Sequence, residues 1–352
     1  MDLKLTDFPY SSPGYGRKIA VVCIGSAGCK IGDQLSKESK LLEHFIYITC
    51  DDHDLANITR GERMLVDLGP RGKSTPYQLR SRVREKMSQI RQQLGDSEIV
   101  FVIAGLGGSV GSAIAPLIAQ ECLSKGAISI GIMVMPYNFE KSKHFFAGSA
   151  LRQVRKYASG VVVIDNDELL QENLPVIDAY ALVNQNIALA LNKLLGSGEQ
   201  HEFSIGLNNV VNFVRTNSYS VLCLGHSDLM SEYREAVMNA VHHFDRTVDK
   251  AQASRSLVHL CADKSITMND LVSSIGGLSG VLGSGMMQIE YGLSANSSVA
   301  PVAIIMATGF ATTKFDSYDP VDLALGSQSI NLDLELDESI DFSPILSNIE
   351  QE

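Results

Sequence analysis

Four short runs of aliphatic and β-branched residues, at 18–24 (KIAVVCI), 99–104 (IVFVIA), 128–135 and 161–164, show almost no polar alternation. That is the pattern of strands covered on both faces, as in a parallel sheet. Between them the apolar positions fall at helical spacing. The clearest case is 76–94, where Leu79, Val83, Met87, Ile90 and Leu94 share one face and Gly95 supplies a C-terminal stop. Strands alternating with helices predict a doubly wound α/β layer.

Residues 174–195 read as one long helix, apolar on nearly every side (Val176, Ile177, Tyr180, Leu182, Val183, Ile187, Leu189, Leu191, Leu194, Leu195) and ended by Gly196. Such a helix is expected to be a buried central strut. After it the order changes to a helix at 231–249, a strand at 256–262, a helix at 268–282, and strands at 286–293 and 300–310. Two successive strands without a helix between them predict a mixed or antiparallel sheet, hence a second, smaller α+β unit. The expected divisions are an extension at 1–16, a first domain at 17–173, the central helix at 174–197, a second domain at 198–322 and a tail at 323–352. Within the tail, 330–337 (INLDLELD) alternates like a strand that could add to a sheet edge.

The chain has 352 residues and a net charge of −11. Ten acids and no Lys or Arg follow Phe315, so the body before that point is near neutral, with 29 basic and 30 acidic residues. A neutral body with an acidic tail argues against nucleic-acid binding, which draws on clustered basic charge. No apolar run approaches the ~20 residues of a membrane span, and 1–16 lacks the apolar core of a signal peptide, so a cytoplasmic protein is expected. The six cysteines form no CxxC pair and sit mostly in apolar stretches, as buried thiols do. The pair His242 and His243 has no ligand-spaced carboxylate or cysteine, which leaves no metal site to expect there.

Two glycine-rich turns carry the candidate chemistry. Gly25-Ser26-Ala27-Gly28-Cys29-Lys30-Ile31-Gly32 follows the first strand, and Gly105-Leu106-Gly107-Gly108-Ser109-Val110-Gly111-Ser112-Ala113 follows the second. Amides at such helix starts attract phosphate, although the first turn alone could equally serve tight packing. Two of them at the carboxyl ends of strands in one sheet meet where α/β folds bind ligands. The first spacing is GxxGxxxG and not the dinucleotide GxGxxG. A nicotinamide oxidoreductase is therefore disfavoured, with Asp51 and Asp52 as its only ribose candidates. The GKST at 72–75 lacks the four-residue gap of a Walker loop.

The order of motifs resembles the tubulin and FtsZ superfamily. Gly25 to Gly32 is similar to tubulin's GQxGNQIG, and Gly107 to Ala113 to the signature GGGTG(T/S)G. Pro136-Tyr137-Asn138-Phe139-Glu140 resembles FtsZ's KPFxFE, Asn166-Asp167-Glu168-Leu169-Leu170 its NDxLL, and Met306-Ala307-Thr308-Gly309-Phe310 its IATGF. The resemblance implies a GTP-binding domain, a central helix and a smaller second domain, with GTP or GDP as cofactor and Mg2+ as a companion ion. Gly25, Ser26, Ala27 and Gly28, with Gly107, Gly108, Ser109, Val110 and Gly111, would cradle the phosphates, and Ser112 would sit beside them. Glu140 would contact the ribose, Asn166 and Asn184 the guanine edge, and Tyr180 would stack on the base. Tyr180 and Asn184 have the i, i+4 spacing that puts both on one helix face. Leu68, Gly69 and Gly72 would face the terminal phosphate.

Departures from the pattern accompany it. Ser109, Val110 and Ala113 replace the signature's third glycine, threonine and last glycine, removing a hydroxyl donor and adding side chains beside the phosphates. His144 stands in the place of an FtsZ arginine, exchanging a fixed charge for one that titrates. FtsZ carries NxDxxD in the loop after its long helix, whose carboxylates orient water on the neighbouring subunit's GTP. Here Asn209 and Asn212 occupy those positions, and 203–219 holds no Asp or Glu. An amide can position water but cannot take its proton. The resemblance thus implies a divergent filament protein, assembling head to tail with itself or with a conventional FtsZ and hydrolysing GTP weakly or not at all. The alternative is an interaction module, deficient in nucleotide turnover, that regulates such an FtsZ. The tail could bind a membrane-tethering or regulatory protein, or equally serve only to solubilise the chain.

Overall fold

A computed structural model describes residues 18–67, 76–169, 174–196, 205–229, 231–276, 278–283, 287–295 and 300–319. The expected extension, the 68–75 loop with Gly72, and the tail with its 330–337 stretch lie outside the described residues. In chain order the first half runs β1 (Ile19–Ile24), α1 (Gly25–Glu38), β2 (His44–Thr49), α2 (Asp52–Ala56), β3 (Glu62–Leu65), α3 (Pro76–Glu85), α4 (Met87–Leu94), β4 (Ile99–Gly105), α5 (Ser109–Lys125), β5 (Ile128–Met135), α6 (Lys141–Tyr157), β6 (Gly160–Asp165) and α7 (Asn166–Leu169). Then come α8 (Val176–Leu191), α9 (Leu207–Val214), β7 (Tyr219–His226), α10 (Tyr233–Thr247), β8 (Arg255–Ala262), α11 (Met268–Gly276), α12 (Leu278–Val281), β9 (Gln288–Ala295) and β10 (Val302–Phe310).

The described strands form one sheet in the order β3-β2-β1-β4-β5-β6-β7-β10-β8-β9. From β3 to β7 all neighbours are parallel. Unbroken apolar runs become strands here because both faces are covered. On β1 and β4, Ala20, Val22, Val100 and Val102 join a core under α3 to α6 and α10, while Val21, Cys23, Phe101 and Ile103 join a second core under α1, α8 and α9. The doubly wound α/β expectation is met. The mixed character of the second half is met as well, with a rearranged order. β9 and β10 are successive in sequence but not adjacent, because β10 enters between β7 and β8, antiparallel to both. The strands before and after α8 share the sheet through a parallel β6–β7 pairing.

Two helices differ from their sequence pattern. The stripe at 76–94 is split into α3 and α4 at Lys86, whose N–H bonds back only three residues to Val83 while its Nζ donates to the Leu65 carbonyl at 2.7 Å. Leu79, Val83, Ile90 and Leu94 are nevertheless all buried. The central strut is buried only in part. Ile177 is 84% and Val176 71% exposed, whereas Ala179, Val183, Ile187 and Leu191 are buried, so the two apolar residues that open α8 face outward. The helix gives way at Asn192 to a π-helical turn through Gly196.

Close packing of α10 on β7 depends on Gly225, where an added Cβ would lie 2.1 Å from the Ala236 carbonyl oxygen and 2.2 Å from the Ala240 nitrogen. We expect Gly225→Ala to destabilise the fold by at least the ~1–3 kcal/mol typical of overpacking. Gly206, beside which a Cβ meets nothing within 4 Å but which caps α9, should accept alanine at a smaller cost. Thermal unfolding of the two variants checks this, and equal melting temperatures would contradict it.

Candidate functional site

The two glycine turns come together at the carboxyl ends of β1 and β4, which are adjacent and in register. Helix α1 begins at Gly25 and α5 at Ser109, neither with a side-chain cap nor with an acid in its first turn. The leading amides of both helices, which have no partner within a helix, are thus left for a ligand, and the helix dipoles favour an anion. Packing explains several of the glycines. At Gly28 a Cβ would approach the Ile103 carbonyl oxygen to 2.5 Å, and at Gly111 the Gly105 carbonyl oxygen to 2.1 Å. Gly25 has φ +69, and the Val110 side chain lies 3.5 Å from where its Cβ would be, so the two turns lie close together. Gly107 abuts Pro136 at 3.0 Å, whereas beside Gly108 the nearest atom is 3.9 Å away.

Side chains at the turns divide by exposure. Ser26, Gly108 and Ser109 are exposed, Ala27 and Val110 half-buried, and Ala113 is in the core. The Ser112 hydroxyl is buried and reaches the carbonyl oxygens of Leu106 at 2.6 Å and Gly108 at 2.9 Å, closing the turn on itself. Ser26 Oγ donates to Asp54 Oδ2 at 2.6 Å, and Thr49 Oγ1 to the same oxygen at 2.9 Å. Asp54 is a site neighbour that no spacing argument singled out. Its signal would have been its place one turn past the C-terminal end of β2. The exposed Asp51, Asp52 and His53 beside it offer atoms within 4.8 Å of one another, but Asp51 is already committed to capping α2.

A second group of side chains lies at the β5 and β6 ends. Tyr137 is buried, stacks on Phe139 at 5.3 Å and takes Tyr180 edge-on at 5.0 Å. Burial raises the Tyr137 phenol above its ordinary pKa, and burial raises Tyr180 as well. Tyr180 stays 38% exposed, which leaves it surface for a planar ligand. Asn184 is half-buried one turn further along α8. Asn166 opens α7, and its Oδ1 is buried with no hydrogen-bond partner among the described residues. An unfilled acceptor at this point suits a ligand edge rich in N–H donors, as guanine has. Glu140 accepts the Tyr137 N–H at 3.2 Å and pairs with Lys143. His144 stacks on Tyr318 at 3.7 Å and donates from Nε2 to the Tyr137 carbonyl at 3.2 Å, so its ring is held between backbone and aromatic.

What fixes the Asn166 turn is a set of charges from far along the chain. Lys314 pairs with Asp165 and lies 3.7 Å from Asp167. Asp167 accepts the Asn138 N–H at 3.0 Å, and Thr247 Oγ1 donates to Asp165 at 2.9 Å. Glu168, buried and 3.6 Å from Arg246, has its pKa raised by burial and then by Asp165. The sequence gives no hint of these pairings because their members are separated by whole elements.

Asn209 and Asn212 are exposed, three residues apart on α9, whose Val210, Val211, Phe213 and Val214 are buried. The end of α9 packs on Gly160, where a Cβ would meet the Val214 carbonyl oxygen at 2.2 Å. Gly160 starts β6 and Asn166 follows its end, so about six residues of strand, ~20 Å, separate α9 from the Asn166 turn. The two amides therefore do not join the glycine turns within one chain.

Residues 18–173 match the family described as "Tubulin/FtsZ family, GTPase domain". Among curated relatives, the cell division protein FtsZ 2 of Halobacterium salinarum is 28% identical over 184 residues, 51% of this chain and 47% of that protein. FtsZ 1 of Pyrococcus furiosus is 24% identical over 253 residues, covering 69% and 68% of the two chains. The chain spans about half the length of the first relatives it matches. Among solved structures, an empty FtsZ dimer from M. jannaschii superposes with TM-score 0.72 at 22% identity, over 83% of this chain and 88% of that one. CetZ2 from Haloferax volcanii, a GTPγS-bound protofilament, does so with TM-score 0.69 at 19% identity, over 88% and 100%.

The unequal packing of the glycines gives a separation of roles that can be measured. Gly108→Ala should leave thermal stability within a degree or two and weaken nucleotide affinity about tenfold, roughly 1.4 kcal/mol, because its methyl group enters open space at the turn. Gly111→Ala should instead disrupt folding. Calorimetric titration with GDP, alongside thermal melts, tests both, and unchanged affinity in Gly108→Ala would remove this turn from the site.

Proposed function

This chain belongs to the tubulin/FtsZ superfamily, and from that premise we propose that it binds a guanine nucleotide in its first half and assembles head to tail into filaments. The observation that carries the reading is the meeting of two uncapped helix starts at one sheet edge, with the open Asn166 acceptor and the exposed Tyr180 face beside them. Phosphates would lie against the amides of Ser26, Ala27, Ser109 and Val110, and the base between Tyr180 and the Asn166 and Asn184 amides. Mg2+ would accompany the phosphates. In this reading residues 17–173 are the nucleotide-binding part, 174–197 the helix between, and 198–322 the part that completes the next subunit's site. Residues 323–352 serve as an acidic tether to a membrane-tethering or regulatory protein.

Turnover is proposed to be slow. Asn209 and Asn212 face solvent at the strand end opposite the nucleotide, where a neighbour's nucleotide would meet them in a head-to-tail stack. Both are amides, so a water could be placed but its proton would have no carboxylate to go to. A conventional FtsZ in the same filament could present its own acidic loop to this chain's GTP, making one of two kinds of interface hydrolytic. The second reading, a regulator of such an FtsZ that does not turn over nucleotide, is favoured by Val110, which fills space against Gly25, and by the Ser112 hydroxyl already spent on its own turn.

Tyr180→Ala removes the proposed stacking partner and should weaken GTP and GDP binding about tenfold or more. Wild-type protein that binds neither nucleotide in a calorimetric titration would leave only the regulator reading.

Phosphate release gives the second test. Wild type alone should release phosphate very slowly, and the double variant Asn209→Asp/Asn212→Asp should gain at least ~tenfold, a lower bound set below the ~10²–10⁴-fold typical of a general base. Mixing wild type with a conventional FtsZ should also raise the rate above that of the FtsZ alone. Brisk turnover by wild type would mean that another group activates the water.

A further inference from the structure

Helix α5 contains a proline in its interior, Pro116. Proline has no N–H, so the carbonyl four residues earlier, that of Ser112, loses its helical donor. Ser112 and Pro116 are both buried, and water is a poor substitute at such a position. The missing donor comes from another helix. Arg80, on α3, places Nη2 3.4 Å from the Ser112 carbonyl oxygen.

The guanidinium is an expensive way to fill this space. Burial lowers the Arg80 pKa, with Arg84 adding to the effect, and its Nε is buried with no hydrogen-bond partner among the described residues. An aliphatic side chain would pack there without either cost. What only the guanidinium offers is a hydrogen-bond donor for the carbonyl that Pro116 orphans.

Ser112 is also the residue that closes the second glycine turn. Its hydroxyl reaches the Leu106 and Gly108 carbonyl oxygens, and its N–H donates to Gly108 at 3.1 Å. We propose that Arg80 is a positioning residue of the nucleotide site: it replaces the donor that Pro116 removes and, by holding Ser112, fixes the 105–109 turn in the shape that presents the α5 amides to phosphate. The proposal rests on the nucleotide-binding reading above and assigns a residue outside the glycine turns to it. Arg80 acts through Ser112 and needs no contact with the ligand.

A mutant cycle tests it, because Pro116→Ala returns a backbone N–H to the Ser112 carbonyl and makes the guanidinium redundant. Arg80→Met should weaken GDP binding at least fivefold in the wild-type background and less than twofold in the Pro116→Ala background. Equal losses in both backgrounds would overturn the proposal, since a merely structural arginine would be missed equally with or without the proline. Hydrogen exchange of the 105–112 amides in nucleotide-free protein gives a readout independent of binding. Arg80→Met should speed exchange there, and adding Pro116→Ala should restore protection. If wild type binds no nucleotide, the functional reading fails, and the exchange cycle alone decides whether Arg80 holds the turn. If Arg80→Met does not fold, Arg80→Lys, whose shorter stem cannot reach in the same way, is used with the same expectations.

Discussion

The approach of two helices to one strand at van der Waals limits governs the rest of the molecule. At Gly28 and Gly111 even a methyl group would collide with carbonyl oxygens of β4 and its turn. Only this closeness lets α1 and α5 begin side by side at the same sheet edge with their first amides open. The dipole of one helix start attracts an anion modestly, on the order of 1 kcal/mol. Two converging starts, neither spending its amides on a side-chain cap, can hold a chain of phosphates.

The second half of the chain serves the first through position and charge. β10 enters between β7 and β8, and the segment after it delivers Lys314 to Asp165 and Tyr318 to His144. Those contacts brace the β6 end and the Tyr137 turn, the two places that carry the open acceptor and the stacked aromatics. The π turn at Asn192–Gly196 ends α8, and beyond it α9 stands at the far end of β6. In the proposed filament, these two ends of the chain would face each other across a head-to-tail contact. Val176 and Ile177, in the first turn of α8, add exposed apolar surface.

Replacements at the glycine signature act in a graded way. Ala113 is absorbed into the core, Ser109 projects to solvent, and Val110 packs against the first turn. None of the three closes the gap beside Gly108. His144 stacks on Tyr318, because the chain after β10 brings an aromatic ring to α6 that no local pattern announces.

Four of the first-half strands could be read from the sequence, since burial on both faces of a parallel sheet forces unbroken apolar runs such as 99–104, whereas β2 and β3 were not singled out. The motif order named the superfamily and pointed to the two glycine turns, which lie at one sheet edge. Local pattern could not decide which strands are neighbours. Alternation and spacing record only which faces are covered, so the entry of β10 between β7 and β8 and the separation of β9 from β10 were settled by tertiary pairing. For the same reason the apolar residues at 174–195 overstated how much of α8 is buried: hydrophobicity marks surface that can be covered, and only the assembled sheet determines where it ends. The Lys314 to Asp165 pairing and the Arg80 donor to Ser112 belong to this class too, because charge and hydrogen-bond partners drawn from distant elements leave no period in the chain.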